Sequence, residues 1–311
     1  YYGKLDLLSY DRVNITGGLR WEDNDQRVNT FLNGQPTTAR LNRIDMLPSA
    51  VVTVFLTDKQ QLRAGFSQTL SRPDFRELAA APFFDMNTNQ ETIGNPKLKQ
   101  TAITNWDLRW EYYLSPTENI FAGFFWKDLT NPIELVAQPG SGALNTYQNV
   151  DKATVYGFEW EILKKLDFVH PLLENFYVGG NYTWSQSNVK LTAQNLIAQT
   201  TNNRPLQGHS EHIVNFQLGY DNPKWKTQAT LLYNISSERI VAAGRQQIPD
   251  KYEQPFHQLD FVFSQNLYKG LSTQLSAQNL LDDDVLILQG DEISRQFRRG
   301  RFFNLSVRLA Y

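Results

Sequence analysis

Val13-Asn14-Ile15-Thr16-Gly17-Gly18-Leu19-Arg20-Trp21-Glu22 is the stretch that decides the fold. Valine, isoleucine, glycine, leucine and tryptophan hold its odd positions; Asn14, Thr16, Gly18, Arg20 and Glu22 hold the even ones. Successive side chains of a strand point to opposite faces, so the segment has one apolar and one polar side.

The same period recurs about twelve times with hardly a competing helical pattern. Trp106, Leu108, Trp110 and Tyr112 alternate with Asn105, Asp107, Arg109 and Glu111. Ile120 to Trp126, Tyr156 to Ile162, Phe176 to Trp184, Val214 to Tyr220, Trp225 to Tyr233 and Leu259 to Phe263 follow suit. Phe303, Leu305, Val307, Leu309 and Tyr311 close the series, set against Asn304, Ser306 and Arg308. All seven tryptophans, at 21, 106, 110, 126, 160, 184 and 225, fall on the apolar side of an expected strand. Most lie near a strand end, where a lipid-facing wall carries its aromatic girdles. The other side carries Arg20, Glu22, Arg63, Asp107, Arg109, Glu111, Lys127, Glu159, Glu161 and Arg308, which suits a wet lumen. A soluble sandwich would instead bury its apolar side in a core. The pattern predicts an all-β, transmembrane, antiparallel up-and-down β-barrel.

Composition agrees by exclusion. The 311 residues contain no cysteine, which removes disulfide frameworks, thiolate metal sites and thiol nucleophiles. Thirty basic against 32 acidic residues leave no cationic field for nucleic acid. No run approaches 18 consecutive apolar residues, so neither a spanning helix nor an uncleaved signal peptide is expected. A barrel crosses on alternating segments and tolerates the mean hydropathy of −0.46.

Outer-membrane barrels have short periplasmic turns and long outer loops. Thr57 to Gln60, Leu114 to Glu118, Asp221 to Lys224 and Asn266 to Gly270 are short and rich in turn residues. Asp23 to Met46, Ser71 to Gln100, Asp128 to Lys152, Ser187 to Ser210, Ser236 to Phe256 and Asp282 to Gly300 are long links. Lys164 to Glu174 is a long link where a short one is due, with room for a helical turn. The strand from Val13 therefore runs outward and the strand ending at Tyr311 runs inward. Tyr1 to Leu7 then reads as the inner end of an earlier descending strand, and residues upstream of Tyr1 are expected.

Leu47-Pro48-Ser49, a strand, the Thr57-Asp58 turn, a second strand and Ser71-Arg72-Pro73-Asp74-Phe75-Arg76-Glu77-Leu78 together resemble TonB-dependent outer-membrane receptors. So do Gly94-Asn95-Pro96-Lys97-Leu98 followed by Thr104 to Leu108, and Tyr156-Gly157-Phe158-Glu159-Trp160-Glu161. Asn279-Leu280-Leu281-Asp282-Asp283 and a closing strand that ends in an aromatic complete the set, in family order, over essentially the whole chain. The resemblance implies that residues 1–311 are the carboxy-terminal dozen or so strands of a barrel of about 22, closed around a globular plug. The plug and the TonB-binding segment would lie upstream. It also implies a receptor in the bacterial outer membrane that imports a scarce nutrient (a siderophore, vitamin complex, glycan or peptide) with TonB-supplied energy, and no catalysis. The alternatives are a plugless pore or a surface-assembly barrel with partner-binding loops, and, third, a soluble carbohydrate-active β-protein.

Ligand contacts are expected from the outer loops, with Phe83, Phe84 and Asp85 as an aromatic tip and Arg239 and Arg245 facing an anionic ligand. Arg298, Arg299 and Arg301 lie across a loop from Asp282, Asp283 and Asp284. Cross-strand ion pairing is their simplest role; holding lipopolysaccharide phosphates at the outer leaflet is the sharper one. Phe303, Leu305, Val307, Leu309 and Tyr311 resemble the signal read by the barrel-insertion machinery, and they also fit plain lipid contact. Arg72-Pro73-Asp74-Phe75 reads as a strand terminator, because Pro73 removes a ladder donor. His209 and His212 read as exposed loop histidines: a separation of three places them on opposite faces of a strand. Glu159 and Glu161 share a face and are expected to pair with wall or plug charges. No cofactor, metal site, nucleophile elbow or phosphate loop is expected.

Overall fold

A computed structural model describes every residue except 33, 87–89, 138–143, 192–202, 245–247, 269, 310 and 311, and leaves the side chains of 7–9, 85, 90 and 137 undescribed. Its main body is a 13-stranded antiparallel sheet whose neighbours follow chain order. The strands are Tyr2–Tyr10, Val13–Leu32, Gln35–Thr57, Gln60–Ser71, Thr101–Ser115, Glu118–Thr130, Lys152–Lys165, Phe176–Lys190, His212–Asn222, Thr227–Ser236, Phe256–Asn266, Leu271–Gln278 and Phe302–Leu309. The expected dozen and the remnant at the start are all present, the latter paired from Tyr2↔Arg20 to Tyr10↔Val13.

Register carries each alternating pattern across the whole sheet, because residues opposite one another in an antiparallel pair share a face. One outward row reads Ile15, Val52, Ala64, Leu108, Phe124, Phe158, Trp184 and His212. Next to it run Ala50, Phe66, Trp106, Trp126 and Tyr156, with Phe66 and Trp106 rings 4.6 Å apart and Trp126 stacked on Tyr156 at 5.2 Å. Trp106, Trp126, Trp160 and Trp21 are exposed rather than packed inside protein. The inward row Thr53, Arg63, Arg109, Gly123, Glu159 and Thr183 is polar, as expected.

Among the described residues the wall has no dry core of its own. The buried apolar clusters sit at its outer end, one around Ala39, Leu78 and Leu98 and one around Val150, Ala153 and Val189. Among the described residues no helix is long and apolar enough to cross a membrane.

Three expectations change. Asp23 to Met46 is not a loop: the Val13–Leu32 and Gln35–Thr57 strands pair without a break from Val13↔Val54 to Leu32↔Gln35. Polar residues disguise this extension, although period two persists in them and places Val28 and Ala39 on the packed side. At about 3.3 Å per residue, Asp23 to Leu32 extends the hairpin by roughly 33 Å. Pairing of Gln35–Thr57 with Gln60–Ser71 stops at Ser49↔Ser67, next to Pro48, which has no N–H to offer. Trp225 lies in the turn before Thr227–Ser236, not within a strand. The long connections also hold short strands: Pro82–Asp85, Gln90–Ile93, Leu144–Asn149 and Ile133–Ala137 form one small sheet, and Arg239–Ala242, Lys251–Glu253, Asp284–Gln289 and Glu292–Arg298 form another. The long inner link does contain the expected helical turn, a 3-10 turn at Pro171–Leu173.

Leu108 lies at the middle of an outward row and is 45% exposed. Leu108→Arg is expected to destabilise the inserted barrel by about 2 to 4 kcal/mol, measured by folding into lipid vesicles. An unchanged insertion equilibrium would contradict this facing.

Candidate functional site: the lumen face and the outer rim

Arg63 and Arg109 stand directly opposite each other, a repulsive pair unless an acid intervenes. Glu111 intervenes. Its carboxylate is 3.8 Å from Arg63 and 3.3 Å from Arg109, accepts from the Tyr113 hydroxyl at 2.7 Å and also accepts from the Gln61 amide. Arg109 continues to Glu161 at 3.3 Å and lies over the Phe121 ring at 4.4 Å. Glu161 thus pairs with the wall, as its position on the lumen face suggested.

Further round, charge gives way to amides. Asn181, Asn215, Asn234 and Gln258 are cross-strand neighbours in one inward row. Asn215 donates to Asn181 at 2.7 Å and accepts from Asn234, while Gln258 donates to Asp260 at 2.9 Å. They line a recess of about 250 Å³ with Glu161 at one end and Asp260 at the other.

Above the lumen the outer connections are tied into a continuous rim. Asp45, buried on the first hairpin, accepts from Gln100 at 2.6 Å and Arg72 at 3.4 Å; Arg72 also bonds Glu22 at 2.8 Å. Gln26 donates to the Pro73 carbonyl at 2.8 Å. Asp74 caps the helical turn Phe75–Leu78 while its own N–H donates to the Glu77 carboxylate at 2.9 Å, so Arg72 to Phe75 ends one strand and starts a docked turn. Gly94 must be glycine here, because a β-carbon would collide with the Ala79 and Arg76 carbonyl oxygens. Its neighbour Asn95 donates to the Tyr147 carbonyl at 2.9 Å and joins the second connection to the third.

The next link is a buried ion pair. Arg204 meets Glu134 with two parallel bonds, 3.0 and 2.7 Å, and both side chains are almost wholly buried. Gln207 accepts from the Leu135 N–H at 3.0 Å and donates to the Val241 carbonyl at 2.7 Å; the Gly208 N–H reaches the Ile240 carbonyl at 2.8 Å. The second small sheet then carries the rim to the hairpin of Asp284–Gln289 and Glu292–Arg298.

Of the residues expected to touch ligand, Phe83 lies beneath the Arg76 guanidinium at 4.9 Å, and Phe84 is exposed beside it. Asp85 ends their strand, its side chain undescribed, and Arg245 lies outside the described residues. Arg239 is held by Glu253 at 2.9 Å and belongs to the other small sheet from Phe84. Arg298 pairs with Asp284 at 2.8 Å, and that bond holds the Asp284 carboxyl below its ordinary range. Arg299 lies over the Phe256 ring at 4.6 Å, and Arg301 donates to the Leu280 carbonyl at 2.9 Å. Phe303, Leu305, Val307 and Leu309 are exposed in one outward row opposite Ala277, Leu275, Thr273 and Leu271, whereas Tyr311 lies outside the described residues.

The histidines need a correction. His209 is half-buried rather than exposed, 2.9 Å from the Ser185 hydroxyl, and burial pushes its imidazole pKa down. His212 begins a strand and its Nδ1 lies 2.8 Å from the Tyr182 hydroxyl. No cluster of three metal-ligating side chains occurs among the described residues. Sequence reading missed Asp45, Glu134, Arg204 and Gln207; the 70-residue separation of Glu134 from Arg204 left no local signal.

The family model for the TonB-dependent receptor-like β-barrel matches residues 5–280. No curated protein matches the chain by sequence. Among solved structures, the copper transporter OprC superposes with a TM-score of 0.66 at 17% identity, over 100% of this chain and 47% of its own. The siderophore receptor PirA from Acinetobacter baumannii gives 0.64 at 16% identity, over 98% and 44%. The ferric enterobactin receptor PfeA gives 0.62 at 17% identity, again over 98% and 44%. The chain spans about half the length of these structures or slightly less.

Two outcomes test the rim. Glu134→Ala leaves the Arg204 guanidinium buried without its carboxylate and is expected to weaken that link by about 3 to 5 kcal/mol. Hydrogen exchange of residues 133–137 and 203–210 should rise while the wall strands stay protected. His209 titrates lower when folded than unfolded, so its contribution is complete above the ordinary value of 6.5 and is lost as pH falls through and below it. Exchange at 203–210 should therefore rise on acidification, and His209→Gln should flatten that dependence.

Proposed function

Because the chain belongs to the TonB-dependent receptor β-barrel family, we propose that it forms the wall and outer mouth of a receptor that captures a scarce nutrient outside the outer membrane and admits it to the periplasm. The observation that carries this reading is the continuous rim, tied from Glu22 and Asp45 to Asp284 and Arg298, above a lumen face of paired charges and amides. Such a rim holds loops in one arrangement, as selective capture requires; a passive pore has no need of it.

The relatives' names point to siderophores and copper as cargo for those proteins. For this chain the rim arginines 72, 204, 239 and 298 are each paired with a carboxylate of the protein. Those four are engaged within the protein, and Phe84 presents an exposed aromatic ring at the mouth. Arg299 and Arg301 remain the candidates for lipopolysaccharide phosphate, and the outward row of the last strand for the insertion machinery. Catalysis has no part in this mechanism. The wall confines, the loops capture, and work arrives through TonB acting on a plug contributed by sequence outside residues 1–311.

The test is uptake of candidate nutrients by cells expressing the full-length protein, with and without TonB. Uptake that disappears without TonB is the expected result. Uptake that persists undiminished would replace the receptor with a pore.

A further inference from the structure

The inner end of the wall carries one connection unlike the rest. Tyr10 to Val13 and Thr57 to Gln60 turn in two intervening residues, whereas Lys165 to Phe176 takes Leu166 through Asn175. That connection is built, not slack. Leu166 N–H bonds the Phe176 carbonyl at 2.9 Å, Val169 N–H the Leu166 carbonyl at 3.0 Å, and Leu173 N–H the His170 carbonyl at 2.9 Å. His170 Nδ1 accepts from Leu172 N–H at 3.2 Å and caps the Pro171–Leu173 turn. Yet this ordered piece leaves Phe168 67%, Val169 60% and Leu172 81% exposed.

Its direction is fixed by Lys164. That residue lies opposite Val178, which lies opposite Leu218 and in turn Leu231, all in an outward row. Lys164 bonds Glu118 at 2.6 Å, and its ammonium stands 5.3 Å from the Phe168 ring. The ring is therefore fastened to the lipid side of the wall, not to the lumen side.

We propose that Leu166–Glu174 is an interfacial anchor that lays Phe168, Val169 and Leu172 into the periplasmic leaflet beside the barrel. The inference rests on the reading of the wall as membrane-spanning with its short turns inward. Lipid is the occupant because the apolar patch stands on the lipid side of the wall, just beyond the Lys164–Glu118 pair that ends the outward face of this strand. Lys165 and His170 against Asp167 and Glu174 give the flanks little net charge, which suits zwitterionic headgroups.

The 311 residues hold no cysteine, so Leu172→Cys, Leu108→Cys and Asp58→Cys each give this chain one site for a nitroxide label. The full-length protein would be reconstituted in vesicles of phosphatidylethanolamine and phosphatidylglycerol, and collisions with oxygen and with a water-soluble nickel chelate measured. The label at 172 is expected to lose access to nickel relative to 58 while keeping access to oxygen, as at 108. Nickel access at 172 equal to that at 58, with 108 still in lipid, would overturn the anchor and leave the wall standing. Shielding of 172 from both quenchers would overturn it in favour of a protein contact or a second copy. Nickel access at 108 would remove the spanning wall and the anchor with it.

Discussion

In hydrocarbon no water is at hand to satisfy a backbone N–H or C=O, so each strand of this wall must satisfy them through its neighbours. That demand is met by antiparallel pairing that passes from neighbour to neighbour from Tyr2–Tyr10 to Phe302–Leu309. Sidewise pairing fixes which residues share a row, and the rows then sort themselves: the strand indoles and most aliphatic groups outward, most carboxylates, guanidinium groups and amides inward, with Phe121 kept on the lumen side under Arg109. Irregular backbone collects where water or other protein can satisfy it. Register shifts occur at Asp6/Leu8, Phe55/Thr57 and Tyr113/Ser115, each next to a short turn.

Outside the membrane the stabilising logic changes. The rim relies on small apolar clusters, added strands and one buried ion pair. Arg204 and Glu134 meet the condition under which burial of two charges is tolerable: two parallel bonds, with further acceptance by Glu134 from the Gln207 N–H at 3.3 Å. Asp284 and Arg298 form a pair of similar length, but in water, where it contributes little to stability and serves more to keep two strands in step.

The wall was legible because period two is written in neighbouring residues. Trp106, Leu108 and Trp110 declare their face without help from any distant segment. The rim was not legible, because its contacts join residues far apart whose types are ordinary. Glu134 and Arg204 look like any surface charges until two loops meet, and Gln207 has no signature at all. Asp23 to Met46 shows the intermediate case: its alternation was present, but polar residues on both faces masked a strand whose packed side is covered by loop rather than by lipid. Trp225 erred the other way, an indole on the right side of the pattern and just beyond the strand. The amide row of Asn181, Asn215 and Asn234 needed a register that no single strand contains.

The two small sheets set a rule for how such a mouth can be remade. The Gln90–Ile93 strand shares backbone hydrogen bonds with Leu144–Asn149, and Lys251–Glu253 shares them with Asp284–Gln289. Neither member of a pair can be exchanged for a foreign sequence without stripping a ladder from the other. Recombination or grafting that seeks new cargo would have to move these segments two at a time, which makes the pair, and not the individual loop, the unit of inheritance.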